Sequence, residues 1–232
     1  MMPRLLLVED DPVSQVFMLE ALRTLPAEVH AAESMATALS LGLDHDLWLL
    51  DAYLPDGNAQ MLLARLRERF PDTPALAHTA STSPALHQEL LDAGFDGVVV
   101  KPVSVNELLA QVRRLLPGLA EPTHATAPGN VCGSVWNDDA ALAALNGQQS
   151  HVTALRQLFL SELPQQHDGV MAALHRGDLA AARKILHQLK ASCGFVGAAR
   201  LKTAVETLDR TPADADAISA FVKAVHDTES PA

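Results

Sequence analysis

The sequence predicts two unlike domains in series, a doubly wound α/β domain and then an all-α bundle, and three observations carry that prediction. Up to residue 116, five short apolar runs, "RLLLV", "EVHAA", "LWLLD", "ALAHT" and "GVVVK", alternate with helical patterns. Such alternation implies crossover units and a parallel sheet. Residues 117–135, "PGLAEPTHATAPGNVCGSV", are rich in Pro, Gly, Ala and Thr and show no apolar period, so they read as a flexible linker. After Trp136 the strand signals stop and helical periodicity takes over. The expected division is therefore residues 1–116, a linker over 117–135, and a helical domain over 136–232.

Taken in order, the helix starts of the first domain announce themselves by their caps. Asp11 caps a helix with Pro12 at its first position, Ser83 does the same with Pro84, and "SVNE", Ser104 to Glu107, fits a capping box. Five βα units result. A coil of about 19 residues has an r.m.s. span near ~24 Å, so contact between the two domains of one chain is allowed but not required. In the second domain, helices are expected near 138–146, 150–175 with Pro164 as a kink or break, 178–195, 198–210 and 214–227. In the fourth of these, Leu201, Val205 and Leu208 fall on one face while Lys202, Glu206 and Arg210 point elsewhere. A helical bundle is the economical packing.

Composition narrows the function. Lys+Arg 17 against Asp+Glu 28 gives a net charge of -11, which removes the electrostatic footprint expected for nucleic acid or an anionic membrane. Cys132 and Cys193 have no CxxC or His partner at metal spacing, so reduced thiols are expected rather than a zinc site or a disulfide framework. The start "MMPRLLLVEDD" is too short in apolar residues for a signal peptide, and no run approaches membrane-spanning length. A cytoplasmic protein with no membrane insertion is expected.

Four polar sites of the first domain share one position, the C-terminal end of an expected strand. Glu9 and Asp10 follow the first strand, Asp51 closes the third, Thr79 ends the fourth and Lys101 ends the fifth. In an open parallel sheet those ends form a single crevice. Three carboxylates converging there repel one another unless a cation intervenes. Oxygen ligands with room for water suit Mg²⁺. Lys101 adds a point charge and Thr79 a hydroxyl donor, which makes the set a device for stabilising a transferring phosphoryl group with Asp51 as the nucleophile.

"LLLVEDD", "LLDAYLPDGNA", "HTAS" and "VVVKP" resemble the receiver domain of two-component response regulators, over residues 3–116. The resemblance implies a flavodoxin-like sheet of order 2-1-3-4-5 and Asp51 as phosphoacceptor. It further implies Mg²⁺ held by Glu9, Asp10, Asp51 and the Tyr53 backbone carbonyl, Thr79 and Lys101 on the phosphoryl group, and a cis Lys101–Pro102 bond. The aromatic that the family usually places three residues before the lysine is replaced here by Val98.

In the second domain "KILHQLKASCGFVGAARL" reads as a helix whose core face is Leu179, Ala182, Ile185, Leu186, Leu189, Cys193 and Val196. His187 lies about 140° from the centre of that face, on the side of Arg183, Lys184, Lys190, Ala191 and Gly194. It is expected in water, with Lys184 and Lys190 a turn away to offset phosphoryl charge and Ala191 and Gly194 leaving room for another protein. His30, His45, His78, His87 and His226 read as ordinary surface histidines. The fragment "HQLKASCGFVGAARL", with "LRQLFLSELPQQ", "HRGD" and "VETLD" around it, resembles the histidine phosphotransfer (HPt) domain, a four-helix bundle, over about 136–228. The resemblance implies His187 as the phosphorylated residue and Lys190 as its supporting cation. Ala191 stands where the family mostly has Gly.

The expected function is a two-component phosphorelay intermediate in which phosphoryl groups move between Asp51, with Mg²⁺, and His187. Neither GxxxxGK[ST] nor a glycine-rich kinase loop occurs, so a sensor or hybrid histidine kinase is the expected upstream partner, with other receiver domains as further partners. The alternative is a regulatory binding protein whose receiver phosphorylation controls target engagement by the helical domain. A Mg²⁺-dependent phosphatase is disfavoured, because Tyr53 occupies the place where that chemistry commonly wants a second carboxylate.

Overall fold

In a computed structural model of the chain, residues 2–42, 44–119, 135–138, 141–142 and 149–230 are described. The chain divides into two compact units, Met1–Ala125 and Thr126–Ala232.

The first unit runs β1 (Arg4–Val8), α1 (Pro12–Leu22), β2 (Glu28–Ala32), α2 (Met35–Ser40), β3 (Leu47–Asp51), a two-residue hairpin β4 (Tyr53–Leu54) and β5 (Gly57–Asn58), α3 (Ala59–Arg67), β6 (Ala75–Thr79), α4 (Pro84–Asp92), β7 (Gly97–Val100) and α5 (Val105–Leu115). The main sheet is parallel with order β2-β1-β3-β6-β7. Counting only its own strands, that is the expected 2-1-3-4-5. All five strands start where the apolar runs start, and only the last ends earlier, at Val100.

The three expected caps form. Asp11 accepts from the Ser14 N–H, Ser83 from the Leu86 N–H, and Ser104 with Glu107 makes both bonds of the capping box. Each satisfies backbone donors that the first helical turn leaves without partners. Helices cover both faces of the sheet, so β3 and β6 are buried throughout and β1 from Leu5 on, as continuous apolar runs require. Leu6, Val8, Trp48, Leu50, Ala75 and Ala77 belong to the core on one face, with Val98 packed against it. Side chains alternate along a strand, so Leu5, Leu7, Leu47, Leu49 and Leu76, all buried, line the other.

The chain past α5 stays packed longer than expected. Leu119, assigned from sequence to the linker, is buried, and its N–H donates to the Leu116 carbonyl. The rest of the expected linker to residue 134, Cys132 included, lies outside the described residues, as does most of the helix expected at 138–146.

Beyond residues 135–142, the second unit runs α6 (Gln149–His175), α7 (Leu179–Val196), α8 (Ala199–Arg210) and α9 (Ala215–Glu229). Helix α7 packs between α6 and α8, and α9 packs on α8 and α6, which closes a four-helix bundle. Phe159, Leu163, Leu186, Leu189, Phe195, Leu201, Val205, Leu208 and Phe221 fill its interior. Pro164 neither breaks nor ends α6: Phe159, Leu163 and Val170 around it are all buried, and at about 1.5–3 kcal/mol each they together outweigh the roughly 3 kcal/mol a helical proline costs.

Two expectations about α7 need correction. Leu179, placed on the core face, is 42% exposed, because it is the first residue of the helix and the apolar stripe begins one turn later. Ala191, placed on the solvent side, is buried, and so is Phe195 outside the expected sector. A helix held by neighbours on two sides buries a wider arc than one amphipathic stripe.

Helix α7 ends on Gly197, at φ +76°. Its N–H reaches back to the Cys193 carbonyl, and its own carbonyl accepts from the Asn137 N–H at 2.6 Å. A Cβ here would stand 2.3 Å from the Asn137 carbonyl oxygen. Gly197→Ala is expected to lower stability by at least the ~1–2 kcal/mol of a left-handed L-residue, read as a fall in the urea midpoint of the bundle. An unchanged midpoint would contradict this placement of residues 135–138.

Candidate functional site

The register builds the site. Val8 pairs with Leu50 and Asp51 pairs with His78, so Glu9, Asp51 and His78 fall on one row across β1, β3 and β6, on the face lined by Leu7, Leu49 and Leu76. From the end of β7 Lys101 enters the same row. Burial is near complete: Glu9 is 0% exposed, Asp51 4%, Lys101 3% and His78 1%.

Lys101 Nζ donates to Glu9 Oε2 at 2.7 Å and to Asp51 Oδ2 at 2.5 Å. The other Asp51 oxygen, Oδ1, accepts from the Tyr53 N–H at 2.9 Å, and Glu9 Oε1 accepts from the Asp11 N–H at 3.2 Å. Gln15 anchors the Glu9 backbone carbonyl at 2.8 Å. The Lys101 N–H donates to the Thr79 carbonyl at 2.7 Å, and the Lys101–Pro102 peptide is cis, as the resemblance implied.

Charge in this row is unevenly shared. Burial raises the Asp51 carboxyl, but Lys101 and then His78 override it and hold Asp51 well below the usual carboxylate range. Burial likewise works against the Lys101 ammonium, yet Asp51 and Glu9 carry it above its ordinary value. For Glu9 burial wins: despite Lys101, and with Asp51 and Asp11 adding repulsion, its carboxyl is pushed well above the ordinary range. The arrangement gives an ionised Asp51 beside a fixed cation, and a second carboxylate that one ammonium does not fully compensate.

Of the residues singled out by sequence, Glu9, Asp51 and Lys101 meet directly, and Tyr53 joins them through its backbone. The Tyr53 ring is 44% exposed at the edge of the row. Asp10 is half-buried between β1 and α1. Thr79 ends β6 on the opposite side-chain parity to His78, and its Oγ1 accepts from the Ser81 N–H at 3.1 Å. The carboxylates suit a hard dication: they are buried, they converge, and Glu9 lacks full compensation.

Sequence reasoning missed His78. It was read as a surface residue, but Nδ1 lies 3.3 Å from Glu9 Oε2 and 3.6 Å from Asp51 Oδ2. Burial lowers its pKa while Asp51 pulls the other way. A polar residue inside an apolar run read as a central parallel strand was the available signal, since such a strand is covered on both faces. His45 is also buried, its Nε2 3.1 Å from His30 Nδ1, and the half-buried His87 is bonded to the Ser81 carbonyl at 2.8 Å. His226 is exposed, as expected.

In the second unit His187 is half-buried rather than fully in water. Lys190, one turn on, reaches Glu206 of α8 at 3.5 Å, so part of its charge is engaged inside the bundle. Lys184 is half-buried and Arg183 exposed.

Comparison with known proteins gives two family matches in one chain. Residues 5–113 match the response regulator receiver domain, and residues 154–229 match the Hpt domain. The sensor histidine kinase AruS of Pseudomonas aeruginosa is 31% identical over 222 residues, which is 88% of this chain and 20% of AruS. The signal transduction histidine-protein kinase BarA of Shigella flexneri is 24% identical over 214 residues, 88% of this chain and 23% of BarA. The chain thus spans about a fifth of the length of these two kinases. Among solved structures, the BeF3 activated DrrB receiver domain is 26% identical, with a TM-score of 0.48 over 50% of this chain and 99% of that one. No described helix is long and apolar enough to cross a membrane. The chain thus consists of a response regulator receiver domain followed by an Hpt domain.

Proposed function

We propose that this protein relays phosphoryl groups through two residues, Asp51 of the receiver unit and His187 of the bundle. The observation that carries the proposal is the buried row of an ionised Asp51 clamped by Lys101 beside an undercompensated Glu9. Glu9, Asp10, Asp51 and the Tyr53 carbonyl would hold Mg²⁺, which supplies positive charge to the phosphoryl oxygens when bound.

The chain's own groups do the positioning. An Asp51 oxygen forms the new bond to phosphorus while the donor's bond to it breaks. The Tyr53 N–H fixes the rotamer of the attacking carboxylate. Lys101 keeps that carboxylate ionised and offers its ammonium to the charge that develops, and the Thr79 hydroxyl would contact the phosphoryl group from the end of β6. For onward transfer a ring nitrogen of His187 attacks the phosphorus and the Asp51 carboxylate leaves. Lys190, shared with Glu206, supports the phosphorylated imidazole. A sensor or hybrid histidine kinase would load the receiver, and separate receiver domains would exchange phosphate with His187, inside a cell's cytoplasm.

Label followed from phosphorylated Asp51 tests this reading. Acid-labile, base-stable label should appear in the wild-type chain, or in a separately added bundle, and should be absent from His187→Gln. Acid-labile label that persists undiminished in His187→Gln removes His187 from the relay.

A further inference from the structure

His78 has no part in the hard-ion set just assigned, yet it points into the same row. Its ring is 1% exposed, with Nδ1 turned towards Glu9 and Asp51. One ligand atom each from Glu9, Asp51 and His78 lies within 4.8 Å of the others.

The separations favour a particular kind of ion. Zinc-type bonds to nitrogen and carboxylate oxygen are about 2.0–2.1 Å, and the edge of a tetrahedron on that radius is about 3.3–3.4 Å. His78 Nδ1 stands 3.3 Å from Glu9 Oε2 and 3.6 Å from Asp51 Oδ2, close to two such edges. An imidazole nitrogen also turns preference away from Mg²⁺, which takes oxygen donors, towards the borderline first-row dications. We infer that Glu9 Oε2, Asp51 Oδ2 and His78 Nδ1 form a site for a zinc-class transition-metal dication, different in donor set from the Mg²⁺ site. Lys101 holds both Glu9 Oε2 and Asp51 Oδ2, so the ion and the ammonium compete for two of the three ligand atoms. On the reading of Asp51 as phosphoacceptor, an ion bound there blocks phosphorylation.

Co²⁺ added to the metal-free full-length chain is the probe, because its visible d–d bands report nitrogen ligation and low coordination number. The wild-type chain is expected to develop these bands. His78→Leu should bind Co²⁺ at least tenfold more weakly, Zn²⁺ should bleach the bands, and Asp10→Asn should retain them, which separates this site from the hard-ion set. Absence of the bands in the wild type, or their persistence in a His78→Leu protein whose circular dichroism shows it folded, overturns the inference. Should His78→Leu fail to fold, Asp51→Asn decides in its place, retained bands overturning the site and lost bands supporting it. Because the bands need no phosphoryl donor, a chain that binds Co²⁺ but is never phosphorylated refutes the relay and leaves the metal site standing.

Discussion

Asparagine in place of Asp51 is expected to abolish every base-labile phosphoryl group the protein acquires from a phosphorylated donor with Mg²⁺. An amide oxygen cannot form the acyl phosphate, and no second carboxylate in the row is equally prepared. Glu9 shares the same lysine, but burial pushes it towards the protonated form while Asp51 is held ionised. Labelling followed by separate acid and base treatment reads the outcome. Undiminished base-labile label in Asp51→Asn would remove Asp51 from the mechanism. The same gel reports the route: if His187 is loaded only through its own receiver, the acid-labile label vanishes as well, whereas a separate donor receiver leaves it in place.

The second large effect is on stability. Lys101 is the cation bonded to both Glu9 and Asp51 at the centre of the row. Lys101→Met leaves two buried carboxylates facing each other, and removing one partner of a buried ion pair costs about 3–5 kcal/mol. The pH dependence follows from the direction of the shifts. In the variant both carboxyls lose the lysine that lowers them: Glu9, already raised by burial, moves further above its unfolded value, and Asp51 keeps only His78 against its burial. A raised carboxyl stabilises the folded state below the unfolded pKa, and that contribution disappears as pH rises through the folded pKa. The deficit of Lys101→Met against the wild type should therefore be largest near neutral pH and shrink towards pH ~4. Urea denaturation of the receiver unit at several pH values measures it. A deficit of equal size at every pH would mean that lost packing of the lysine stem, rather than unpaired charge, is the cause.

How much of this was legible beforehand differs between the two units. In the first, strand limits, caps and the convergence of Glu9, Asp51 and Lys101 could be read because each depends on local chemistry or on parity along a strand. An apolar run bounded by turn residues starts where it must, Asp11–Pro12 and Ser104–Glu107 cap by contacts within one turn, and a parallel sheet places all its C-terminal ends on one edge. His78 was not legible as a site residue, because its role depends on which neighbour lies beside it. Only the pairing of Asp51 with His78 brings the ring against two carboxylates. In the second unit the helices were legible and the environment of α7 was not. A helical wheel assumes one covered face, whereas α7 has α6 on one side and α8 on the other, so Ala191 and Phe195 are buried and Lys190 is drawn to Glu206.

The sequence alone determined the architecture, and with it the place of Asp51 at a strand's C-terminal end and of His187 on a bundle helix, since periodicity, capping and strand-end placement are properties of contiguous residues. The tertiary structure decided the state of the groups around them: which carboxylate Lys101 keeps ionised, which one burial protonates more readily, and that an imidazole closes the row. Those outcomes are set by distances of about 3 Å between residues tens of positions apart, in a low-dielectric interior where a single neighbour outweighs a side chain's intrinsic chemistry.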